Sequence, residues 1–240
     1  MSSSAIATQA VNAPDHCAVA PAWHTAVIVL VVLGASLAGA LHQNLSPIGR
    51  AQGRVGGYVI VMLFEWALVA FIWWGVKRRG LSLNDLVGGR WTRASEFFRD
   101  LGIAIGFLLV NGVILSAIGH LLKASHNQAM KNLLPEGPVE IVVYLLVCAT
   151  AGFCEELIFR GYLQRQFAVL TKAPAGGIAL QAIVFGFGHG YQGWKYMLII
   201  IVFGAMFGLL AHWLRSLRPG MLAHFVQDGV GGLLGRHLMR

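Results

Sequence analysis

Residues Gly152–Gln164 read GFCEELIFRGYLQ. They continue a run of fourteen uncharged, mostly apolar residues, Ile141 to Cys154, and place Glu155, Glu156 and Arg160 inside what reads as one helix. An ionisable group in a membrane span costs roughly 2.5–3.5 kcal/mol on insertion scales, so three within six residues demand a reason. Helical spacing divides them. Glu156 and Arg160 stand four apart on one face, with the acid N-terminal to the base, the favoured order for an ion pair. Arginine keeps its charge and grips a carboxylate with two N–H groups, so this pair neutralises itself. Glu155 is turned by about 100° from Glu156 and has no cation nearby in the chain. A free carboxyl in a poorly hydrated site is suited to take and return a proton. The bland alternative is that all three side chains only tie helices together.

The rest of the chain supports a membrane setting. Only 12% of its 240 residues are charged, about half the share in a soluble domain, and 57% are hydrophobic. Several stretches reach the roughly 20 apolar residues that cross about 30 Å of hydrocarbon. The expected fold is all-α, a polytopic transmembrane helix bundle. About seven spans are expected, near 24–41, 56–76, 97–122, 139–163, 175–190, 194–214 and 219–237, with the site residues among the last four. No polar region is long enough to fold separately. The segments expected are a disordered N-terminal tail (1–22), N-terminal transmembrane helices (23–138) and a core carrying the chemistry (139–237).

The net charge of +8 sits in short loops rather than in a stripe. It reads as the positive-inside pattern of a membrane protein, not as a nucleic-acid surface. The loop Lys77–Arg99 holds six Lys or Arg and should face the cytoplasm, which with seven spans puts the N-terminus inside and the C-terminus outside. Cys17, Cys148 and Cys154 show no spacing of a disulfide framework or zinc knuckle. The first 22 residues carry no Lys or Arg, so they lack the basic start of a secretory signal. Gly102/Gly106, Gly204/Gly208 and Gly231/Gly235 have the spacing that lets helix backbones approach in lipid.

Five further ionisable residues fall in or beside the spans. His189 ends Phe185–Gly190, FGFGHG, where glycines suggest close approach of a backbone or substrate. His224 and Asp228, in HFVQD, are four apart and share a helical face. They are read as an oriented imidazole, as hydrogen-bond donors or as metal ligands. Glu65, beside Trp66, reads as a packing or hydrogen-bonding residue, and His212, near Arg215 and Arg218, as interfacial. Trp73, Trp74, Trp194 and Trp213 fit an aromatic belt. The three polar groups converging in one buried pocket would supply a carboxylate, two imidazoles and a second acid. That inventory can activate water and stabilise an oxyanion in peptide hydrolysis. No serine nucleophile elbow, HExxH or Walker loop is present.

EELIFR, FGFGH and HFVQD, in this order, resemble the EExxxR, FxxxH and HxxxN/D motifs of the CPBP (CAAX protease and bacteriocin-processing, or ABI) intramembrane proteases. That family includes the type II CAAX prenyl endopeptidases, and the likeness covers roughly residues 139–237. The resemblance implies that Glu155 activates water, aided by His189, and that His224 and Asp228 stabilise the tetrahedral oxyanion. An ionised Asp228 cannot donate a hydrogen bond where an Asn could, so its role is to orient His224 or to donate while protonated. Glu156 and Arg160 keep the structural role, and Phe185 supports the second motif. The resemblance leaves the cofactor open. Zinc or another metal on Glu155, His189, His224 and Asp228 is one reading, and a metal-independent glutamate mechanism is the other.

The implied activity is an intramembrane endopeptidase acting on a membrane-associated protein or peptide, in the lipid bilayer, with no nucleic-acid partner. Two other classes compete. One is a non-catalytic membrane scaffold or bacteriocin-immunity protein of the same fold. The other is a proton-coupled transporter, since intramembrane Glu, His and Asp also relay protons; the lack of clear halves or inverted repeats weighs against it. The compact chain and short loops fit a bacterial plasma membrane. One conflict stands in the helix limits: a fifth span from 175 to 190 would carry His189 to the surface opposite Glu155. A later start, with 164–177 as an interfacial segment, would remove it, and Pro174, Gly176 and Gly177 favour that start.

Overall fold

A computed structural model describes residues 18–45, 53–124 and 133–238, and these are helical, with no strand among them. The helices are α1 (Ala22–Leu45), α2 (Gly53–Lys77), the short α3 (Leu83–Val87), α4 (Ala94–Leu121) and α5 (Pro138–Glu155). A π-helical segment (Glu156–Leu163) follows, then α6 (Gln164–Thr171), α7 (Pro174–Gly188), α8 (Trp194–Leu214) and α9 (Arg218–Leu238). The expected polytopic bundle is the architecture observed. Five helical stretches are long and apolar enough to cross a membrane unaided: Ala22–Leu41, Gly53–Lys77, Ala94–Leu121, Pro138–Thr171 and Trp194–Leu214. The other two of the seven helices fall short for physical reasons. α7 has only 15 residues, and α9 carries Arg218, His224 and Asp228. Of the tail expected over 1–22, residues 1–17, Cys17 among them, lie outside the described residues. Val19 and Ala20 are buried, and their N–H groups both donate to Oε1 of Gln166.

The helix of the opening motif does not end at residue 163. α5, the π segment and α6 run on as one 34-residue rod, Pro138–Thr171. Lys172, with φ 54°, ends it, and extended Ala173 leads into Pro174 at the first turn of α7, where a missing N–H costs nothing. The late start expected for this helix is therefore corrected. Gly176 and Gly177 lie inside α7 because the hairpin is tight: a Cβ on Gly177 would meet the Gln164 carbonyl and lie 2.9 Å from the Ala168 Cβ. The depth conflict disappears with the boundary. Glu155 stands sixteen residues before Thr171 and His189 fifteen after Pro174, so each is about 23 Å from the turn at 1.5 Å per residue. Phe159 and Phe185 meet between the two arms, with ring centroids 4.7 Å apart.

Every residue of the π segment is buried, and the core gathers on it through Leu157, Ile158, Tyr162, Phe185 and Phe207. Polar side chains lock its neighbours. Nδ1 of His24 lies 2.7 Å from the Tyr162 hydroxyl and Nε2 2.9 Å from the Phe71 carbonyl, which joins α1, α2 and the π segment. Gln164 and Gln181 donate to the carbonyls of Gly208 and Gly204, at 3.0 and 2.8 Å. The Gly204/Gly208 pair is thus a helix-packing site, as its spacing suggests, whereas Gly102, Gly106 and Gly231 have nothing within 4 Å of a built Cβ.

The polar loop after α2 braces the start of α9. Ser82 and Asp85 form a capping box on α3, and Leu217 N–H donates to the Val87 carbonyl at 2.8 Å. Arg218 donates to the Arg90 carbonyl and pairs with Asp100, 3.1 Å from its Nε. These contacts set where α9 begins, and so where His224 lies two turns later.

Candidate active site

Glu155 and Glu156 stand at the junction where α5 becomes the π segment. Insertions of this kind recur at functional sites because they re-aim side chains without ending the helix. The wider turn is visible in the Gln164 N–H, which reaches back five residues to the Phe159 carbonyl. α9 lies directly against this junction. A Cβ on Gly152 would lie 2.9 Å from the Met221 carbonyl oxygen and 3.1 Å from the Phe225 nitrogen, so only glycine admits α9 this close.

That approach brings His224 between both acids. Its Nδ1 is 2.9 Å from Oε1 of Glu156. Its Nε2 is 3.6 Å from Oε2 of Glu155 and 3.5 Å from Oδ2 of Asp228. His224 as a whole residue is 3% exposed. Glu156 therefore does more than the structural pairing expected of it. The same Oε1 that meets His224 also lies 3.0 Å from an Arg160 terminal nitrogen. With Nδ1–H donated to Glu156, Nε2 is the atom turned to the open side of the site, and it carries a proton only when the ring is an imidazolium.

Arg160 is held in an aromatic cage. Its guanidinium carbon lies 4.5 Å from the Phe185 ring centroid, 5.3 Å from Phe207 and 5.7 Å from Phe203. Cation–π contacts of this range offset part of the cost of burying a charge. Phe203 and Phe207 also pack on His224, with centroids 5.2 and 5.5 Å away. The motif residue Phe185 thus touches Arg160 directly and sets the ring of His189 at 4.7 Å.

His189 is placed differently from the other expected site residues. Its Nδ1 bonds the Phe185 carbonyl at 2.9 Å, which leaves Nε2 as the free nitrogen. It lies within electrostatic range of Asp228 but has no hydrogen bond to Glu155, His224 or Asp228. The site is graded in access. The Asp228 side chain is 38% exposed, Glu155 16% and His224 4%, so the entrance lies on the Asp228 side.

The segment that carries these groups has a known relationship. The family described as Rce1-like, type II CAAX prenyl endopeptidase Rce1-like, matches residues 137–230. Over these residues the chain is similar to that family, and the match spans less than half of its 240 residues. Neither the curated proteins nor the solved structures yield a match to the chain. The match supports a CAAX-type endopeptidase at family level, and the long apolar helices support an integral, multi-pass membrane protein.

A metal on the candidate site would need three or more donors within about 2.0–2.2 Å of one point. Among the described residues no three His, Cys, Asp or Glu side chains converge in this way, and Nδ1 of His224 is already engaged by Glu156. The chemistry below is therefore derived through the side chains alone.

Several neighbours of the candidate site are not evident from its motifs. Phe203 and Phe207 sit four apart on α8, a spacing that does mark one helical face. Gly152 carries no signal beyond being a glycine next to the acids. Tyr191 interacts electrostatically with Glu155 and Asp228, and burial pushes its phenol up to about 12, so it stays neutral and able to donate a hydrogen bond. Glu65, read as a packing or hydrogen-bonding residue, lies in α2 within electrostatic range of Glu155, His224 and Asp228. His212 is exposed at the end of α8, as its position suggests.

Proposed function

We propose that this chain hydrolyses a peptide bond of a membrane-associated protein or peptide, with Glu155 as the water-activating carboxylate. One observation carries the reading: Glu155 and Asp228 face the same nitrogen of His224, at 3.6 and 3.5 Å, while Glu156 holds the other. Both distances exceed a hydrogen bond, so neither acid uses up Nε2, which stays available to a water or substrate oxygen. The Glu155 carboxylate takes a proton from water, and the hydroxide oxygen bonds to the scissile carbonyl carbon. The carbonyl oxygen becomes an oxyanion, which accepts from Nε2–H of the His224 imidazolium. Asp228 orients that ring from the open side, and Glu156 with Arg160 fixes it from behind. Glu155 then gives its proton to the leaving nitrogen as the C–N bond breaks, which yields a carboxylic acid and an amine; the acid's proton then passes to the amine, leaving a carboxylate and an ammonium. The free Nε2 of His189 accepts a hydrogen bond from the attacking water.

The family's name points to prenylated C-terminal CAAX peptides as the first substrates to try. The test is cleavage by purified protein in lipid, in 18O-labelled water, with and without chelator, for the wild type and Glu155→Gln. Hydrolysis places one labelled oxygen in the new C-terminal carboxylate, survives chelator and disappears in Glu155→Gln. Loss with chelator, reversed by zinc, would instead assign Glu155, His189, His224 and Asp228 to a metal.

A further inference from the structure

α2 lies outside the matched segment, yet it brings a fourth carboxyl to the site. Glu65 is 6% exposed, and its Oε2 is buried without a hydrogen-bond partner among the described residues. Its direction is set by its neighbours. Trp66 stacks on Phe153 with centroids 5.5 Å apart, which fixes α2 in register with the residues just before Glu155. Trp66 stays half exposed on the outer side, and Glu65 turns inward. There its carboxyl interacts electrostatically with Glu155, His224 and Asp228, and also with Cys154 and the Tyr191 phenol. An acid kept in a membrane helix to tie helices together should spend at least one oxygen on a protein donor, as Oε1 of Glu156 does on His224. Among the described residues no hydrogen bond ties Glu65 to a protein donor, and its Oε2 is buried without one.

A peptide entering a site within the membrane brings backbone N–H groups that water no longer satisfies, and each needs an acceptor. We propose that Glu65 is a substrate-binding residue of this site, its Oε2 accepting a backbone N–H of the peptide whose scissile carbonyl lies over Glu155. A carboxyl oxygen accepts in either protonation state. The inference rests on the endopeptidase reading above and extends the site to a helix that the family match does not reach.

The structural and substrate-binding roles separate because Oε2 has no protein bond to lose. The experiment compares wild type, Glu65→Leu, Glu65→Gln and Glu155→Gln on an internally quenched farnesylated peptide that the wild type cleaves. Thermal unfolding is followed on the same samples. Glu65→Leu should unfold at the wild-type temperature or above, yet lose about tenfold to a hundredfold in kcat/KM. Glu65→Gln, whose amide oxygen still accepts, should recover to within about threefold. In the Glu155→Gln background, adding Glu65→Leu should weaken peptide binding by about tenfold. Wild-type kcat/KM in Glu65→Leu would overturn the proposal, as would a loss of activity that only follows a fall in unfolding temperature. Wild-type cleavage by Glu155→Gln would instead overturn the endopeptidase reading, whatever Glu65 does.

Discussion

Nδ1 of His224 lies 2.9 Å from Oε1 of Glu156, the same oxygen that lies 3.0 Å from Arg160. One carboxylate oxygen thus serves two cations or donors on different helices, and the second acid of the opening motif becomes the anchor of the imidazole. Glu155, one residue earlier, faces the other nitrogen of the same ring. The two adjacent acids grip His224 from opposite sides, and only one of them has a charge partner of its own.

This anchoring predicts strong coupling between Glu156 and Arg160. Glu156→Gln leaves a guanidinium uncompensated among Phe185, Phe203 and Phe207, which should lower stability by about 3–5 kcal/mol. Arg160→Met should do comparable harm by stranding the carboxylate. The double variant should be much less destabilised than the sum of the two, a result that a denaturation-based double-mutant cycle in detergent reads directly.

Asp228 faces Nε2 of His224 at 3.5 Å with its side chain 38% exposed, and in the proposed reaction it orients that ring. Asp228→Asn keeps an acceptor and adds a donor for the oxyanion, so cleavage should stay within about threefold of wild type or exceed it. Asp228→Leu removes both and should slow kcat by about a hundredfold. Steady-state kinetics on one cleaved peptide distinguishes the two.

The close approach at Gly152 makes a packing prediction. Gly152→Ala pushes a methyl against the Met221 carbonyl and Phe225 backbone, at a cost of about 1–3 kcal/mol. By moving α9 away from α5 it should also slow cleavage more than stability alone explains. Gly106→Ala, where nothing lies within 4 Å of the built Cβ, should leave both unchanged. Unfolding temperatures and initial rates for the pair check this.

Five of the seven helices were legible as long apolar runs, and the three polar motifs were legible because lipid makes ionisable residues conspicuous. The end of the fourth helix was not. Gln164, Arg165 and Gln166 look like a loop, yet Gln164 and Gln166 are polar because they bond Gly208, Val19 and Ala20, not because the helix stops. That misplaced boundary alone had set His189 at the wrong depth. The π segment has no residue pattern that announces it, so the sharing of His224 between Glu155 and Glu156 could not be read from i, i+4 spacing. Glu65 gave a cost but no partner, and its place beside Glu155 depends on how α2 lies on α5.

The central claim is that Glu155, not Glu156, activates water. Its most direct test is the single-turnover cleavage rate of Glu155→Gln beside its unfolding temperature. An isosteric amide cannot take the proton of water, so the rate should fall by at least about a hundredfold to ten-thousandfold while the unfolding temperature stays near wild type, because Glu156 still holds His224. A folded Glu155→Gln that cleaves at the wild-type rate would contradict the account.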